Sequence, residues 1–181
     1  MDFKSVLSML LKNFEKNNIH YALMGGFAFG LWGVGRATVD IDLLVSREDM
    51  EMTDRIMLEA GYDCKYHSEN VSQYVSPLTI FGEVDFLHAF RDASLEMLGR
   101  AEEKEIFGGL LKIKVLKPED LIGLKLQAIK NDAERMENDM ADIKALVSAH
   151  GETLDWSMIE RYFQLFDMEE EYVKLLKGKG K

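Results

Sequence analysis

The sequence predicts an α+β fold, in which a small mixed β-sheet is backed by helices and followed by a C-terminal helical subdomain. Strand-like and helical patterns alternate along the first two thirds of the chain, and only helical patterns follow. At 181 residues the chain is long enough to bury a sizeable core. The predicted divisions are a core over 1–116, a helical subdomain over 117–177 and a disordered tail over 178–181.

Each predicted element rests on a local signal. Apolar residues at helical spacing predict a first helix over 3–16. Gly25-Gly26 then separates a short strand from a short helix, and Ser46 and Gly61 are suited to begin and end the next helix. The other core elements are predicted as strands over 38–45, 62–66, 73–76 and 79–87, a helix over 93–100 and a hairpin over 106–115.

The C-terminal third has a purely helical pattern. Pro118 suits the first turn of a helix, and apolar residues recur at spacings of three, four or seven from there to His150. This pattern predicts one long helix. Two shorter helices are expected over 155–166 and 168–176.

Composition narrows the classes of function. With 22 basic and 32 acidic residues the net charge is −10, so the chain is a poor general binder of polyanions. A single cysteine, Cys64, cannot form an internal disulfide or a multi-thiolate metal site. There is no apolar run of about 18 residues, and the N-terminus does not resemble a signal peptide. We therefore expect a cytoplasmic protein with no membrane partner.

Two carboxylates stand out on the strand predicted over 38–45. Strand alternation places Asp40 and Asp42 on one face together with Thr38. Two adjacent carboxylates repel one another unless they are solvated or share a cation, and such oxygen ligands suit Mg²⁺ or Mn²⁺ rather than zinc. An Asp-x-Asp motif alone more often marks a solvated strand face, so the interpretation as a metal site depends on the neighbouring motifs.

Those neighbours are a glycine pair upstream and an acidic strand downstream. Gly25-Gly26 lies at a strand-to-helix turn, where free backbone N–H groups and the absence of Cβ atoms let a phosphate approach. Asp85 lies on another apolar strand and would complete a ligand set for two divalent ions. Glu83 shares its face and is a second candidate.

Together these residues resemble a known family. The string Gly25-Gly26-x-Ala28, followed by Gly35-Arg36-x-Thr38-x-Asp40-Ile41-Asp42 and the later Asp85, resembles the polymerase-beta-like nucleotidyltransferase superfamily. It is similar to two bacterial branches: the toxin–antitoxin and abortive-infection type, and the minor antibiotic nucleotidyltransferases of the lincosamide-modifying type. The resemblance covers about residues 19 to 90 and extends more weakly over 124–143.

The resemblance implies a nucleotidyltransferase-like fold, a nucleoside triphosphate (NTP) as co-substrate and Mg²⁺ (or Mn²⁺) as cofactor. By it, Asp40, Asp42 and Asp85 hold the metal and, with Lys125, form the catalytic set. The residues that it places around the nucleotide are Gly25, Gly26, Arg36, Thr38 and Asp139.

In the toxin-type branch a lysine and a downstream aspartate in the C-terminal helices also matter, and the resemblance assigns these to Lys125 and Asp139. Arg135 and Asp142 are their neighbours. If residues 122–147 form one helix, Lys125 and Asp139 are heptad-spaced along one flank of its apolar stripe. The alternative is a surface stripe of ion pairs on that helix.

The predicted function is Mg²⁺-dependent transfer of a nucleoside monophosphate from an NTP to an acceptor hydroxyl, with Asp85 or Glu83 taking the acceptor proton. The acceptor stays open between a small molecule such as an antibiotic, an RNA end and a protein; the net charge weighs against a large RNA. A homodimer and a cognate antitoxin are candidate partners. The alternative is a non-catalytic nucleotide-binding or interaction module with a degenerate fold, which the three carboxylates disfavour.

Overall fold

The structure is a computed structural model that describes residues 1–178. In this range the chain forms seven strands and eight α-helices, with short 3-10 turns at Arg47–Asp49 and Ala133–Arg135. In chain order the elements are α1 (Phe3–Lys16), β1 (Tyr21–Met24), α2 (Gly25–Leu31), β2 (Asp40–Ser46), α3 (Met50–Glu59), β3 (Asp63–His67), β4 (Val71–Val75), β5 (Glu83–Ala89), α4 (Asp92–Arg100), β6 (Glu102–Ile106), β7 (Leu111–Val115), α5 (Pro118–Asn131), α6 (Met136–His150), α7 (Trp156–Leu165) and α8 (Glu169–Gly178).

The seven strands form one sheet in the order β3-β4-β5-β2-β1-β7-β6. Strands β2 and β5 run parallel, as do β1 and β7, and the other neighbouring pairs are antiparallel. The predicted fold class, a mixed sheet with helices, is confirmed. The central position of β2 puts its side chains between those of β1 and β5.

One face of the sheet is the main core. Alternation along β2 sends Ile41, Leu43 and Val45 to this face, where they are fully buried. Val84 and Phe86 of β5 occupy the same face in register with Ile41 and Leu43. The opposite face of both strands carries the acidic residues, so burial of the apolar set fixes where the carboxylates point.

The chain divides into two compact units. Met1–Leu31 and Gly35–Leu116 make up the first, which contains the sheet, and Trp32–Val34 with the chain from Lys117 onward make up the second. In the second unit, His150 Nε2 lies 2.6 Å from the Trp32 carbonyl oxygen, and the two rings meet edge to face. Gly178, where the predicted tail begins, is the last residue of α8; the rest of that tail, residues 179–181, lies outside the described residues.

The prediction of one long helix after Pro118 is wrong. Helix α5 ends at Asn131, and Asp132 adopts an extended conformation with φ −148° and ψ 103°. Its carboxylate accepts a hydrogen bond from the backbone N–H of Glu134, which caps the 3-10 turn leading into α6. The physical reason is local, because Asp competes for backbone N–H groups and the run 130–135 offers no large apolar side chain. Within residues 1–178, no helix is long and apolar enough to cross a bilayer.

Candidate active site

The structure brings the three predicted aspartates together. In the parallel pairing of β2 with β5, Asp42 lies level with Asp85, and Asp40 lies level with Glu83. One carboxylate oxygen from each of Asp40, Asp42 and Asp85 lies within 4.8 Å of the other two. Residues far apart in the sequence therefore form one acidic cluster, which we call the carboxylate site.

The carboxylate site contains a buried carboxylate oxygen and a carboxyl group with a raised pKa, both from Asp85. Oδ1 of Asp85 is buried and has no hydrogen-bond partner among the described residues. Burial, followed by the charge of Glu83, raises the pKa of Asp85 to about 6, although a hydrogen bond from Gln73 opposes the shift. A buried, unpartnered oxygen and three convergent carboxylates are a donor set that fits a hard divalent cation such as Mg²⁺ or Mn²⁺.

The glycine pair at the start of α2 allows a close approach between backbone and site. Gly25 has φ +64°, and a Cβ atom there would lie 1.8 Å from Oδ2 of Asp42. A Cβ atom on Gly26 would lie 2.8 Å from the Cβ of Thr38. The absence of Cβ atoms at both glycines therefore leaves room for the side chains of Asp42 and Thr38. This steric role is distinct from the close approach of a phosphate that the sequence indicates.

The segment before β2 supplies two further predicted residues. Thr38 Oγ1 donates a hydrogen bond to Oδ1 of Asp40 at 2.7 Å, which orients that carboxylate. The Arg36 guanidinium carbon lies 6.0 Å from the centroid of the Phe29 ring, at the outer limit of a cation–π contact. Thr38 thus belongs to the site through Asp40, and Arg36 lies two residues before it.

Two residues near the site were not expected from the sequence. Gln73 on β4 is paired with Asp85 in the sheet, and its Nε2 donates a short hydrogen bond to Oε1 of Glu83. Tyr66 on β3 is in turn paired with Gln73. The sequence carries a weak signal for Gln73, a polar residue between Val71 and Val75, but no signal for which strand it would meet.

Beside the carboxylates lies a cavity of about 300 Å³, which we call the sheet-face cavity. Asp42 and Asp85 form its acidic end. The rest of its lining comes mainly from apolar side chains on the same open face of the sheet.

Lys125 and Asp139 lie in the helical unit, where they pair with one another. Lys125 Nζ is 2.6 Å from Oδ1 of Asp139 and 2.6 Å from Oδ2 of Asp142, and Arg135 Nε donates to Asp139 at 2.8 Å. Only 12% of the Lys125 side chain and 3% of the Asp139 side chain are exposed. Burial opposes ionisation of Asp139, but the hydrogen bonds from Lys125 and Arg135 outweigh it and lower its pKa. The cluster is a buried contact between α5 and α6 and not a surface stripe.

A model of the uncharacterised nucleotidyltransferase family matches residues 3–177. The chain belongs to this family. This nucleotidyltransferase is therefore an enzyme that transfers a nucleoside monophosphate from a nucleoside triphosphate, and the predicted resemblance to the superfamily is confirmed. No curated protein sequence matches the chain.

Solved structures share its fold at low sequence identity. The antibiotic-resistance factor ANT(2'')-Ia matches with a TM-score of 0.64 and 15% identity, covering 96% of this chain and 97% of that one. The lincosamide antibiotic adenylyltransferase LnuA matches with a TM-score of 0.56 and 17% identity, covering 80% and 96%. An antigenic nucleotidyltransferase-like protein from Paracoccidioides brasiliensis matches with a TM-score of 0.57 and 18% identity, covering 96% and 91%. The nucleotidyltransferase-like fold is thus confirmed.

Proposed function

We propose that this nucleotidyltransferase is Mg²⁺-dependent (or Mn²⁺-dependent) and that Asp40, Asp42 and Asp85 hold the metal. The supporting observation is their convergence within 4.8 Å, together with the buried, unpartnered oxygen of Asp85 among the described residues. When bound, a divalent ion supplies charge neutralisation for the triphosphate and acidifies the acceptor hydroxyl. The protein supplies the positions of the ligands through the β2–β5 pairing.

The reaction is a single displacement at the α-phosphorus of the nucleotide. The acceptor hydroxyl gives its proton to the carboxylate of Asp85, its oxygen bonds to the α-phosphorus, and the bond from that phosphorus to the departing pyrophosphate breaks. Asp85 is the better base of the two candidates. Asp85 lines the sheet-face cavity, whereas Glu83 lies outside its lining.

The remaining site residues are proposed to bind or position the nucleotide. The backbone N–H groups at Gly25 and Gly26 and the guanidinium of Arg36 are suited to phosphate oxygens. Thr38 holds Asp40 in position. The roles of Lys125 as a phosphate contact and of Asp139 as a nucleotide-binding residue rest on the family resemblance, and in the structure the two side chains form a buried ion pair with one another.

The acceptor is proposed to be the hydroxyl of a small molecule. Two structural neighbours are known with antibiotic ligands: ANT(2'')-Ia in complex with adenylyl-2''-tobramycin and LnuA with lincomycin bound. The modest volume of the sheet-face cavity supports an acceptor of small size. A macromolecular acceptor of the toxin type, a cognate antitoxin, a homodimer and a cytoplasmic location stay predictions from the sequence.

The test is metal-dependent nucleotide binding. The melting temperature should rise with an NTP and Mg²⁺ and should rise much less with the NTP and a chelator, because the carboxylates repel the triphosphate when no cation is present. Asp40→Asn should abolish the Mg²⁺-dependent rise. Asp63→Asn is the matched control, because Asp63 is an exposed residue of β3. Equal rises with Mg²⁺ and with chelator, or an Asp40→Asn protein that behaves like Asp63→Asn, would contradict the proposal.

A further inference from the structure

The sheet face next to the carboxylate site is open and largely apolar. The pairing of β4 with β5 places Val71 beside Leu87. This pair lies two residues along the strands from the pair of Gln73 and Asp85, on the same face of the sheet. Val71 and Leu87 are half-buried, and Tyr66 at the rim is 55% exposed. These side chains form the walls of the sheet-face cavity, whose acidic end carries Asp85.

The charge of the cavity restricts what it can bind. Among the described residues that line it, the charged ones are Asp42 and Asp85. A polyanion would meet these carboxylates with no basic side chain of the lining to hold its phosphates. A polycation would need the same carboxylates that the proposed metal uses. The lining therefore favours a neutral ligand.

The size and polarity of the sheet-face cavity further restrict the ligands that it can bind. At about 300 Å³ the cavity is at the lower end of the range of about 300 to 1,000 Å³ for small-molecule sites. It has room for one small ring or a short chain. Met24, Val71 and Leu87 present half-buried apolar surface that water covers poorly, so a ligand with an apolar portion gains affinity by covering it.

We propose that the sheet-face cavity is the acceptor site and that the acceptor is a small, neutral alcohol with an apolar portion. This inference rests on the proposed function. The apolar portion lies on Val71 and Leu87, and the hydroxyl points to Asp85, which takes its proton. The acceptor oxygen then bonds to the α-phosphorus as pyrophosphate leaves.

A homologous series of alcohols tests the inference. Methyl, butyl and hexyl β-D-glucopyranoside carry the same neutral, hydroxyl-bearing ring and differ in apolar length. Each is offered with Mg²⁺ and an NTP labelled at the α-phosphate, and kcat/KM is measured from the labelled product. We expect kcat/KM to rise by about fourfold for each methylene that the cavity buries. A polyamine sugar and a short RNA with a free 3′ end serve as charged comparators.

Two matched variants locate the effect. Val71→Thr keeps the shape of a cavity side chain but replaces a methyl group with a hydroxyl, so the ratio of hexyl to methyl transfer should fall by about threefold. Val75→Thr makes the same change on the same strand and face, opposite Glu83 and outside the cavity lining, and should leave the ratio unchanged.

The outcomes separate the acceptor assignment from the proposed function. If Mg²⁺ and the NTP raise the melting temperature but transfer does not increase along the series, the acceptor assignment is wrong. Preferential transfer to the polyamine sugar or the RNA, no transfer to any compound, or an equal loss in both threonine variants also overturns it. If Mg²⁺ and the NTP do not raise the melting temperature, the proposed function fails, and the acceptor assignment fails with it.

Discussion

Replacing Lys125 with Met should destabilise the protein far more than a surface substitution does. The Lys125 ammonium is 2.6 Å from both Asp139 and Asp142, and its side chain is 12% exposed. Its removal leaves the Asp139 carboxylate, 3% exposed, beside that of Asp142, with Arg135 as the cation that contacts Asp139. Removing one partner of a buried ion pair lowers the free energy of unfolding by about 3–5 kcal/mol. Because Arg135 still contacts Asp139, we expect a loss near the lower end of this range, about 3 kcal/mol.

The assay is urea and thermal unfolding followed by circular dichroism at pH 7. For a chain of this size, about 3 kcal/mol corresponds to a fall in melting temperature of about 6–12 °C. The matched control is Lys130→Met on the same helix. Lys130 is 50% exposed and pairs with the 80% exposed Asp167, so this substitution should change stability by less than about 1 kcal/mol.

The pH dependence of the loss gives a second measurement. The lowered pKa of Asp139 means that its ion pairs stabilise the folded protein above the ordinary pKa of Asp, and that this contribution is lost as the pH falls through the lowered value. In Lys125→Met the Asp139 carboxylate, without the ammonium that lowers its pKa, takes up a proton more readily, so the loss of stability relative to the unsubstituted protein should shrink between pH 7 and pH 5. A small, pH-independent loss equal to that of Lys130→Met would refute the buried-cluster reasoning.

Substitutions at Gly26 and Asp85 should also change the stability of the protein in defined directions. Gly26→Ala should destabilise the protein by about 1–3 kcal/mol, because the new Cβ would lie 2.8 Å from Thr38. Gly30→Ala on the same helix should stabilise the protein by up to about 1 kcal/mol in urea unfolding, because beyond the adjoining residues and the backbone of its own helix no described atom lies within 4 Å of the new Cβ. The pKa of Asp85 is raised to about 6, so in the presence of a chelator the contribution of this carboxyl to the stability of the folded protein should be fully present below the ordinary pKa of Asp and should be lost as the pH rises through 6. Asp85→Asn should remove this decline, which is about 1 kcal/mol because the carboxylate is partly solvated; an identical pH profile in the variant would contradict the assignment.

Local patterns were sufficient to predict the elements and the acidic face. The alternation Val39-Asp40-Ile41-Asp42-Leu43 shows which residues share a face of β2, and its apolar members are buried as expected from Ile41 onward. The fold class and the family followed from such short-range signals. The catalytic and binding roles of the individual site residues stay predictions.

What the sequence could not provide is the pairing between distant segments. Nothing in the local pattern of Gln73 indicates that it meets Asp85 across the sheet. The error at Asp132 has a different, local origin. Apolar residues recur at helical spacing on both sides of Asp132, so the spacing alone does not reveal a single residue with a non-helical conformation. The resulting turn brings Lys125 and Asp139 together from two helices.

The register of β5 ties correct folding to the carboxylate site. Val84 and Phe86 fill the core, while Glu83 and Asp85 occupy the other face of the strand. A slip of one residue against β2 would send both acidic side chains into the core and expose both apolar ones. A form of the protein with this strand misaligned would therefore be destabilised both by the burial of charged side chains and by the loss of core contacts. The alternation that brings the carboxylates together thus also disfavours any folded form in which the carboxylate site is missing.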